Sequence, residues 1–103
     1  MNMSAYTESW WLASLGKTLI WARLRVHLSG TAEVFDCDGK TLFYDSEDSA
    51  RSALLDADFL AWDGLDEDDA WHLGFTLAAI SPPAVSTDEL LRDRMVQSLH
   101  GQH

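Results

Sequence analysis

Residues 19–44, LIWARLRVHLSGTAEVFDCDGKTLFY, decide the fold of this 103-residue chain. Over residues 19–28, apolar side chains alternate with a tryptophan, two arginines and a histidine. The apolar series is Ile20, Ala22, Leu24, Val26 and Leu28. Because the side chains of a β-strand point alternately to opposite faces, this period of two predicts a half-buried strand.

Two short turn signals follow this strand. Ser29-Gly30 is a suitable two-residue hairpin turn, and Asp38-Gly39 is the strongest kind of short-range hairpin signal. We therefore predict two further strands, over residues 31–37 and 40–44, which complete an antiparallel meander.

A two-residue turn at each site would fix the register of the meander. The first turn places Leu24 opposite Phe35, and the second places Phe35 opposite Leu42. One face would then carry Leu24, Phe35 and Leu42, with Val26 and Tyr44 nearby. The other face would carry Arg23 opposite Asp36, together with Arg25, Val34 and Phe43. Both turns agree on one apolar face, and a slip of one residue would move every side chain to the opposite face.

Residues 8–15 allow two interpretations. If Gly16-Lys17 is a hairpin turn, residues 10–15 form a first strand of the same sheet. If Gly16 instead ends a helix, the segment is a short helix capped by Thr7. We favour the strand.

The second half of the chain has helical character. Ser46 can cap a helix whose inner side consists of Ala50, Ala53 and Leu54. Residues 66–75 predict a second short helix, with acidic residues in its first turn where the helix dipole favours them. Strands followed by helices predict an α+β fold, in which an antiparallel meander of three or four strands carries two or three short helices on one face.

A third helix is predicted near the C-terminus. After the stiff break at Ser81-Pro82-Pro83, Ser86 and Glu89 form a capping box. The helical stripe that follows consists of Leu90, Leu91, Met95, Val96 and Leu99.

Length and composition indicate a single globular domain over residues 1–103, with flexible ends at 1–8 and 100–103. Hydrophobic residues make up 47% of the chain, which argues against disorder.

Cys37 is the single cysteine, so an intrachain disulfide is impossible, as expected for a cytoplasmic protein. The first eight residues lack the features of a cleavable signal. No apolar run approaches the roughly 20 residues of a membrane span.

Charge narrows the choice of partner. Seven Lys and Arg residues stand against 17 Asp and Glu residues, a net charge of −10. Nucleic acid and anionic membranes would repel such a chain, whereas a basic protein would attract it. The same acidity also serves solubility.

One stretch resembles a catalytic motif. Asp36-Cys37-Asp38-Gly39 is similar to the first motif of the haloacid-dehalogenase-type phosphatases, in which the first Asp is the nucleophile and the second an acid/base. Lys40 stands where that family has Thr, and the family needs a parallel sheet and a chain about twice as long. We therefore interpret the stretch as a hairpin turn. We expect no catalytic residues, no metal site and no cofactor.

The candidate binding site is a stretch in which acidic residues are interleaved with aromatic ones. Residues 56–71 contain seven acids and no Lys or Arg. The predicted partner-binding residues are Asp56, Asp58, Trp62, Asp63, Asp66, Glu67, Asp68, Asp69 and Trp71. Carboxylates would steer a basic partner and tryptophans would anchor it. The alternative is that the tryptophans belong to the core and the acids form a solvated rim.

A second candidate surface is the outer face of the predicted sheet. It would consist of Trp21, Arg23, Arg25, Val34 and Phe43, with Trp10. On this face Arg23 could instead pair internally with Asp36 or stack on Trp10, and a helix could cover it.

In general character the chain resembles the immunity proteins of bacterial polymorphic-toxin and contact-dependent inhibition systems. The resemblance rests on the short acidic α+β chain, its two hairpins and the segment 56–69. It implies a one-to-one complex in which an acidic surface covers the active site of a cognate toxin domain. An acidic accessory subunit, or a nucleic-acid mimic that binds a basic protein, is the alternative.

Overall fold

The computed structural model describes residues 6–15, 18–77, 80–83 and 95–98. Their strands are β1 (Tyr6–Leu15), β2 (Thr18–His27), β3 (Ala32–Phe35), β4 (Thr41–Tyr44), β5 (Leu60–Ala61) and β6 (Val96–Ser98). Their helices are α1 (Glu47–Asp56), a 3₁₀ helix (Trp62–Gly64) and α2 (Glu67–Leu73). The predicted α+β class and the antiparallel meander are confirmed.

All described strands belong to one antiparallel sheet built around β2. The strand order is β4-β3-β2-β1-β5, and β6 also pairs with β2. On one side, β2 pairs with β1 along its whole length. On the other side, β3 pairs with residues 23–26 of β2 and β6 pairs with residues 18–20.

The ambiguous segment before Gly16 is a strand, as we favoured. β1 pairs with β2 from Tyr6 opposite His27 to Leu15 opposite Thr18. The strand already begins at Tyr6, so residues 6–8, which we assigned to a flexible end, pair with β2. The predicted turn at Gly16-Lys17, the first five residues and residues 100–103 lie outside the described residues.

The predicted register of both hairpins is wrong by one residue. Arg23 lies opposite Phe35, and Leu24 lies opposite Val34. The first turn has three residues, 28–30, because the amide of His27 donates to the carbonyl of Thr31 over 2.8 Å. Gly30 takes the positive φ of 98° that closes such a loop.

The second hairpin has the same three-residue form. The amide of Asp36 donates to the carbonyl of Lys40 over 3.0 Å, and Gly39 has a φ of 81°. Val34 therefore lies opposite Leu42. The two shifts exchange the predicted positions of Val34 and Phe35: Val34 shares a face with Leu24, and Phe35 shares the other face with Arg23.

Each face of the sheet carries its own hydrophobic core. The α1 face buries Trp11, Ala22, Leu24, Ala32 and Val34 against Ala50 and Leu54 of α1. The α2 face buries Leu12, Leu19, Trp21 and Phe35 against Ala70, Phe75 and Met95. The two helices therefore lie on opposite faces, rather than on the one face we predicted. Large apolar side chains on both faces of β1 and β2, such as Trp11 and Leu12, explain the difference.

The helix α1 starts at the predicted cap. The amide of Ser49 donates to the hydroxyl of Ser46 over 3.1 Å, which satisfies one of the free amides of the first turn. Ala57 is the cap residue that follows the helix, and Asp58 then takes a positive φ of 68°. No helix within the described residues has the length and apolarity that a bilayer crossing requires.

The C-terminal helix prediction is wrong where the structure describes it. Val96 lies opposite Ile20 in the β2–β6 ladder, and the amide of Trp21 donates to the carbonyl of Met95 over 2.7 Å. β3 is too short to pair with the first residues of β2, so the edge there takes a second partner. Ser86, Glu89, Leu90, Leu91 and Leu99 lie outside the described residues.

The positive φ of Gly30 predicts that alanine will lower stability more at this position than at Gly64. Gly30→Ala should lower the free energy of unfolding by about 1–2 kcal/mol, because a side chain with a Cβ is strained at its φ. Gly64→Ala is the matched control: an added Cβ also meets nothing within 4 Å there, and the φ is not positive. We expect a change within about 0.5 kcal/mol for this control, measured by urea unfolding. Equal losses in both variants would contradict the φ explanation.

Candidate functional site

The predicted acidic segment passes from one side of the sheet to the other. After α1, Phe59 packs against the α1-face core, and Ala61 pairs with Trp11 at the sheet edge. The 3₁₀ helix and α2 follow on the opposite face. Asp56 and Asp58 are thus exposed on the α1 side of β5, whereas Asp63 and the four acids at 66–69 follow beyond it. The seven acids thus belong to segments that pack on opposite faces of the sheet.

Trp62 is an anchor of the core rather than a free contact residue. Its ring lies 5.4 Å from that of Trp21 in an edge-to-face arrangement. Trp10 also contacts Trp21, with 6.2 Å between the centres of the two rings. The alternative that places this tryptophan in the core therefore holds for Trp62, which is half-buried and holds the start of the acidic segment on the sheet.

Two of the predicted binding acids build the start of α2. The amide of Asp69 donates to Asp66 Oδ1 over 2.8 Å, and the amide of Asp66 donates to Asp69 Oδ2 over 3.3 Å. This reciprocal capping box satisfies amides that a helix start leaves free. Asp66 and Asp69 therefore have a structural role in addition to their charge.

The inner side of α2 is fixed to the sheet. Ala70 is fully buried, and Leu73 packs partly against the same core. The helix ends at Gly74, which has a positive φ of 96°. The amide of the buried Phe75 then donates to the carbonyl of Ala70 over 3.0 Å. A helix of only seven residues is thus held at both ends and along one side.

The outer side of α2 is exposed and combines acids with one large aromatic ring. It consists of Glu67, Asp68, Trp71 and His72. Trp71 is 77% exposed, which is unusual for a tryptophan. Helical spacing explains this arrangement, because Ala70 and Leu73 face the sheet and Trp71 points away from both. We call these four residues the α2 surface.

The acids of this segment keep their charge free of ion pairs within the described residues. The ion pairs there join Arg25 to Glu8, His27 to Glu33 and Arg51 to Glu47. None of these includes an acid of residues 56–69. Glu67 makes one long contact, accepting from the amide of Leu77 over 3.5 Å. The α2 surface therefore presents carboxylates that a basic partner could contact.

Sequence reasoning did not single out His72, which lies on the α2 surface. Its Nδ1 is 2.8 Å from the carbonyl oxygen of Asp68, one turn earlier in the helix. An isolated histidine with no ligand spacing gives no signal in a sequence. Its position follows only from knowing which side of α2 packs against the sheet.

The second predicted surface is mostly covered. Trp21 is buried, Val34 lies on the opposite face, and Trp10 is half-buried against Trp21. Arg23 is only 5% exposed, and its guanidinium carbon lies 4.9 Å from the centre of the Phe35 ring. The register shift explains this contact, because it replaces Asp36 by Phe35 opposite Arg23. This surface is therefore not available as predicted.

Two residues of that surface remain accessible. Arg25 pairs with Glu8 over 2.9 Å, and its guanidinium carbon lies 4.4 Å from the centre of the Tyr6 ring. Phe43 on β4 is 77% exposed. Arg25 is thus engaged in contacts within the chain, and Phe43 leaves one aromatic ring exposed on this face.

The Asp36 stretch forms a hairpin loop. Asp36 Oδ1 accepts hydrogen bonds from the amides of Asp38 and Lys40, each over 3.0 Å. This carboxylate therefore stabilises the loop between β3 and β4, in agreement with the turn interpretation. No group of three or more potential metal ligands occurs among the described residues.

The chain was compared with protein-family models, with curated proteins and with solved structures, and none of these comparisons gave a match. The function proposed below therefore rests on the geometry of the α2 surface.

Replacing either tryptophan by alanine should affect stability to very different extents. Trp71→Ala should change the free energy of unfolding by no more than about 0.5 kcal/mol, because the ring is exposed. Trp62→Ala should lower it by roughly 2–4 kcal/mol, because the ring packs on Trp21. Thermal and urea unfolding, followed by circular dichroism, measure both. A large loss in Trp71→Ala would show that this ring is part of the core.

We predict that the thiol of Cys37 reacts slowly in the folded chain. Burial raises the pKa of its thiol, and the negative charges of Asp38 and Asp36 raise it further. Because the thiolate is the reactive form, iodoacetamide should react more slowly with the native chain than with the urea-unfolded chain at the same pH. Asp38→Asn should speed the native reaction, since one of the charges is removed. Equal rates for native and unfolded chains would contradict this assignment.

Proposed function

We propose that this protein is a non-catalytic inhibitor that binds a basic protein domain through the α2 surface. The observation that carries the proposal is Trp71, a 77% exposed tryptophan on a helix whose other side is fixed in the core. The class of protein that the chain resembles, the bacterial immunity proteins, works by such binding. In that reading the partner is a cognate toxin domain whose active site the α2 surface covers.

An exposed tryptophan favours a binding role. Tryptophan is enriched among the few residues that contribute most of the energy of protein interfaces, because a large ring can fill a pocket on the partner. Its exposure in the unbound chain leaves apolar surface in water, which is unfavourable. Trp71 makes no ring contact with Trp10, Trp21 or Trp62, whose rings pack together. Its position is therefore better explained by a partner than by the stability of the fold.

The charge around Trp71 indicates the kind of partner. Glu67 and Asp68 lie on the same side of α2, and residues 56–71 contain no Lys or Arg. Complementary charge accelerates the encounter with a basic surface and disfavours acidic ones. Toxin domains that act on nucleic acids need basic clefts for their substrates, so a surface of this kind would compete for the same cleft.

The rigidity of α2 favours tight binding. The Asp66–Asp69 capping box fixes the start of the helix, and the buried Ala70 and Phe75 fix its inner side and its end. A preformed surface loses less conformational entropy when it binds than a flexible segment does. The α2 surface therefore meets a partner without first having to fold.

The test begins with capture of partners from the source cell's lysate, at about 150 mM and about 500 mM salt, with mass spectrometry of the bound proteins. Three baits are used in parallel: the natural chain, Trp71→Ala, and Leu28→Ala. Leu28 is the matched control, because it is 84% exposed but lies on the β2–β3 turn. One stoichiometric protein that the natural chain and Leu28→Ala retain at both salts, and that Trp71→Ala loses, would support the proposal.

Binding kinetics with the captured protein then separate charge from anchoring. Trp71→Ala should weaken the affinity by tenfold or more, mainly through faster dissociation. Asp68→Lys, combined with Asp63→Lys in the 3₁₀ helix just before the α2 surface, should slow association, because both acids are exposed and neither caps α2. Asp66 and Asp69 are left unchanged, since their replacement by Lys would disrupt the helix start. Unchanged kinetics in both variants would exclude the α2 surface.

The activity of the captured protein decides between inhibitor and subunit. Loss of its activity at one equivalent of this chain would support inhibition. Unchanged or increased activity would instead identify an accessory subunit. Capture of many basic proteins at the lower salt only, with steep loss at the higher salt, would favour nonspecific attraction or nucleic-acid mimicry.

A further inference from the structure

We propose that the outer edge of β4 accepts an extended, basic segment of a partner protein as an additional strand of the sheet. This surface is separate from the α2 surface and does not depend on the function proposed above. It rests on the backbone geometry of β4, on its exposed side chains and on the charges at its two ends.

β4 is a terminal strand of the sheet. In the strand order of the described residues it has β3 on one side and no strand on the other. Natural proteins commonly protect such edges with very short strands, charged side chains, prolines or bulges. β4 is short, but its four residues, Thr41, Leu42, Phe43 and Tyr44, include no charged side chain and no proline.

The phase of the β3–β4 ladder determines which backbone groups face outward. The amide of Asp36 donates to Lys40, so this pair is hydrogen-bonded. Hydrogen-bonded pairs alternate along antiparallel strands, and the next such pairs involve Leu42 and Tyr44. The amides and carbonyls of Thr41 and Phe43 therefore point away from β3. Thr41 and Phe43 can therefore pair with an added strand, because the spacing of their backbone donors and acceptors is that of a strand edge.

Apolar side chains flank this edge on both faces of the sheet. Phe43 is 77% exposed on the α2 face, and Leu42 is 46% exposed on the α1 face. An added strand places alternate side chains on the two faces, where one would cover Phe43 and another Leu42. The edge can therefore contribute apolar contact in addition to backbone hydrogen bonds.

The charges at the two ends of β4 indicate a basic occupant. Asp36 and Asp38 precede the strand, and Asp45, Glu47 and Asp48 follow it, with Lys40 as the only basic residue in 33–48. A second copy of this chain would bring acids against acids in either strand direction. A segment with Lys or Arg near both ends would instead meet opposite charge.

Amide hydrogen exchange of the natural ¹⁵N-labelled chain tests the edge first. The Thr41 and Phe43 amides should exchange faster than those of Leu42 and Tyr44, which bond to β3. The probe is an acetylated, amidated peptide of alternating Lys and Val, eight residues long. Its binding should slow the exchange of Thr41 and Phe43 at least tenfold. The same peptide with Glu in place of Lys is the control and should change neither amide.

Two variants extend the test. Thr41→Pro removes an outward amide while leaving the β3 ladder intact, so it should weaken peptide binding at least tenfold and preserve cooperative unfolding. Phe43→Ala removes the exposed ring, leaves the backbone unchanged, and should weaken binding several-fold. Trp71→Ala should bind the peptide as the natural chain does. Binding that neither Thr41→Pro nor Phe43→Ala weakens, or that protects neither Thr41 nor Phe43, would overturn the proposal. Dimerisation of the natural chain through β4 would also overturn it.

Discussion

The ladder between β1 and β2 is the constraint on which the rest of the structure depends. It pairs ten residues of each strand and places large apolar side chains on both faces, with Trp11 on one and Trp21 on the other. A sheet that is apolar on both faces cannot leave either in water, so each face needs a covering layer. One helix cannot cover both, which explains why α1 and α2 lie on opposite sides and why β5 must pass along the β1 edge between them.

This arrangement also determines where the acidic residues can lie. Once Ala70 and Phe75 are committed to the core, the short helix α2 has one side left for solvent, and that side carries the acids and Trp71. A net charge of −10 destabilises a compact chain through repulsion. Two buried cores offset this cost, so the chain can keep uncompensated acids on a segment whose backbone is held by Trp62 and the capping box.

The sequence predicted the class of fold and the order of the strands, because alternation in 19–28 and the two glycine turns are local signals. It could not predict the register, since Gly30 and Gly39 suit a two-residue and a three-residue loop equally well. β6 was missed because Met95 and Val96 also fit a helical stripe, and only the unpaired start of β2 selects a strand there. The acidic segment is visible in the sequence as a stretch without Lys or Arg. The distinction between half-buried Trp62 and exposed Trp71 depends on how the 3₁₀ helix and α2 pack on the sheet.

The two proposed surfaces place different demands on a partner. The α2 surface offers side chains on a fixed helix, and it therefore suits a folded cleft with basic walls. The β4 edge offers backbone groups, and it suits an extended segment whose own sequence matters mainly through charge and alternate apolar residues. β4 is a terminal strand of the sheet, whereas α2 packs on one face of it, so the two surfaces differ in the groups that they present. A domain with a basic cleft and a basic arm could use both surfaces, and the arm would then add affinity through its high effective concentration near the bound domain.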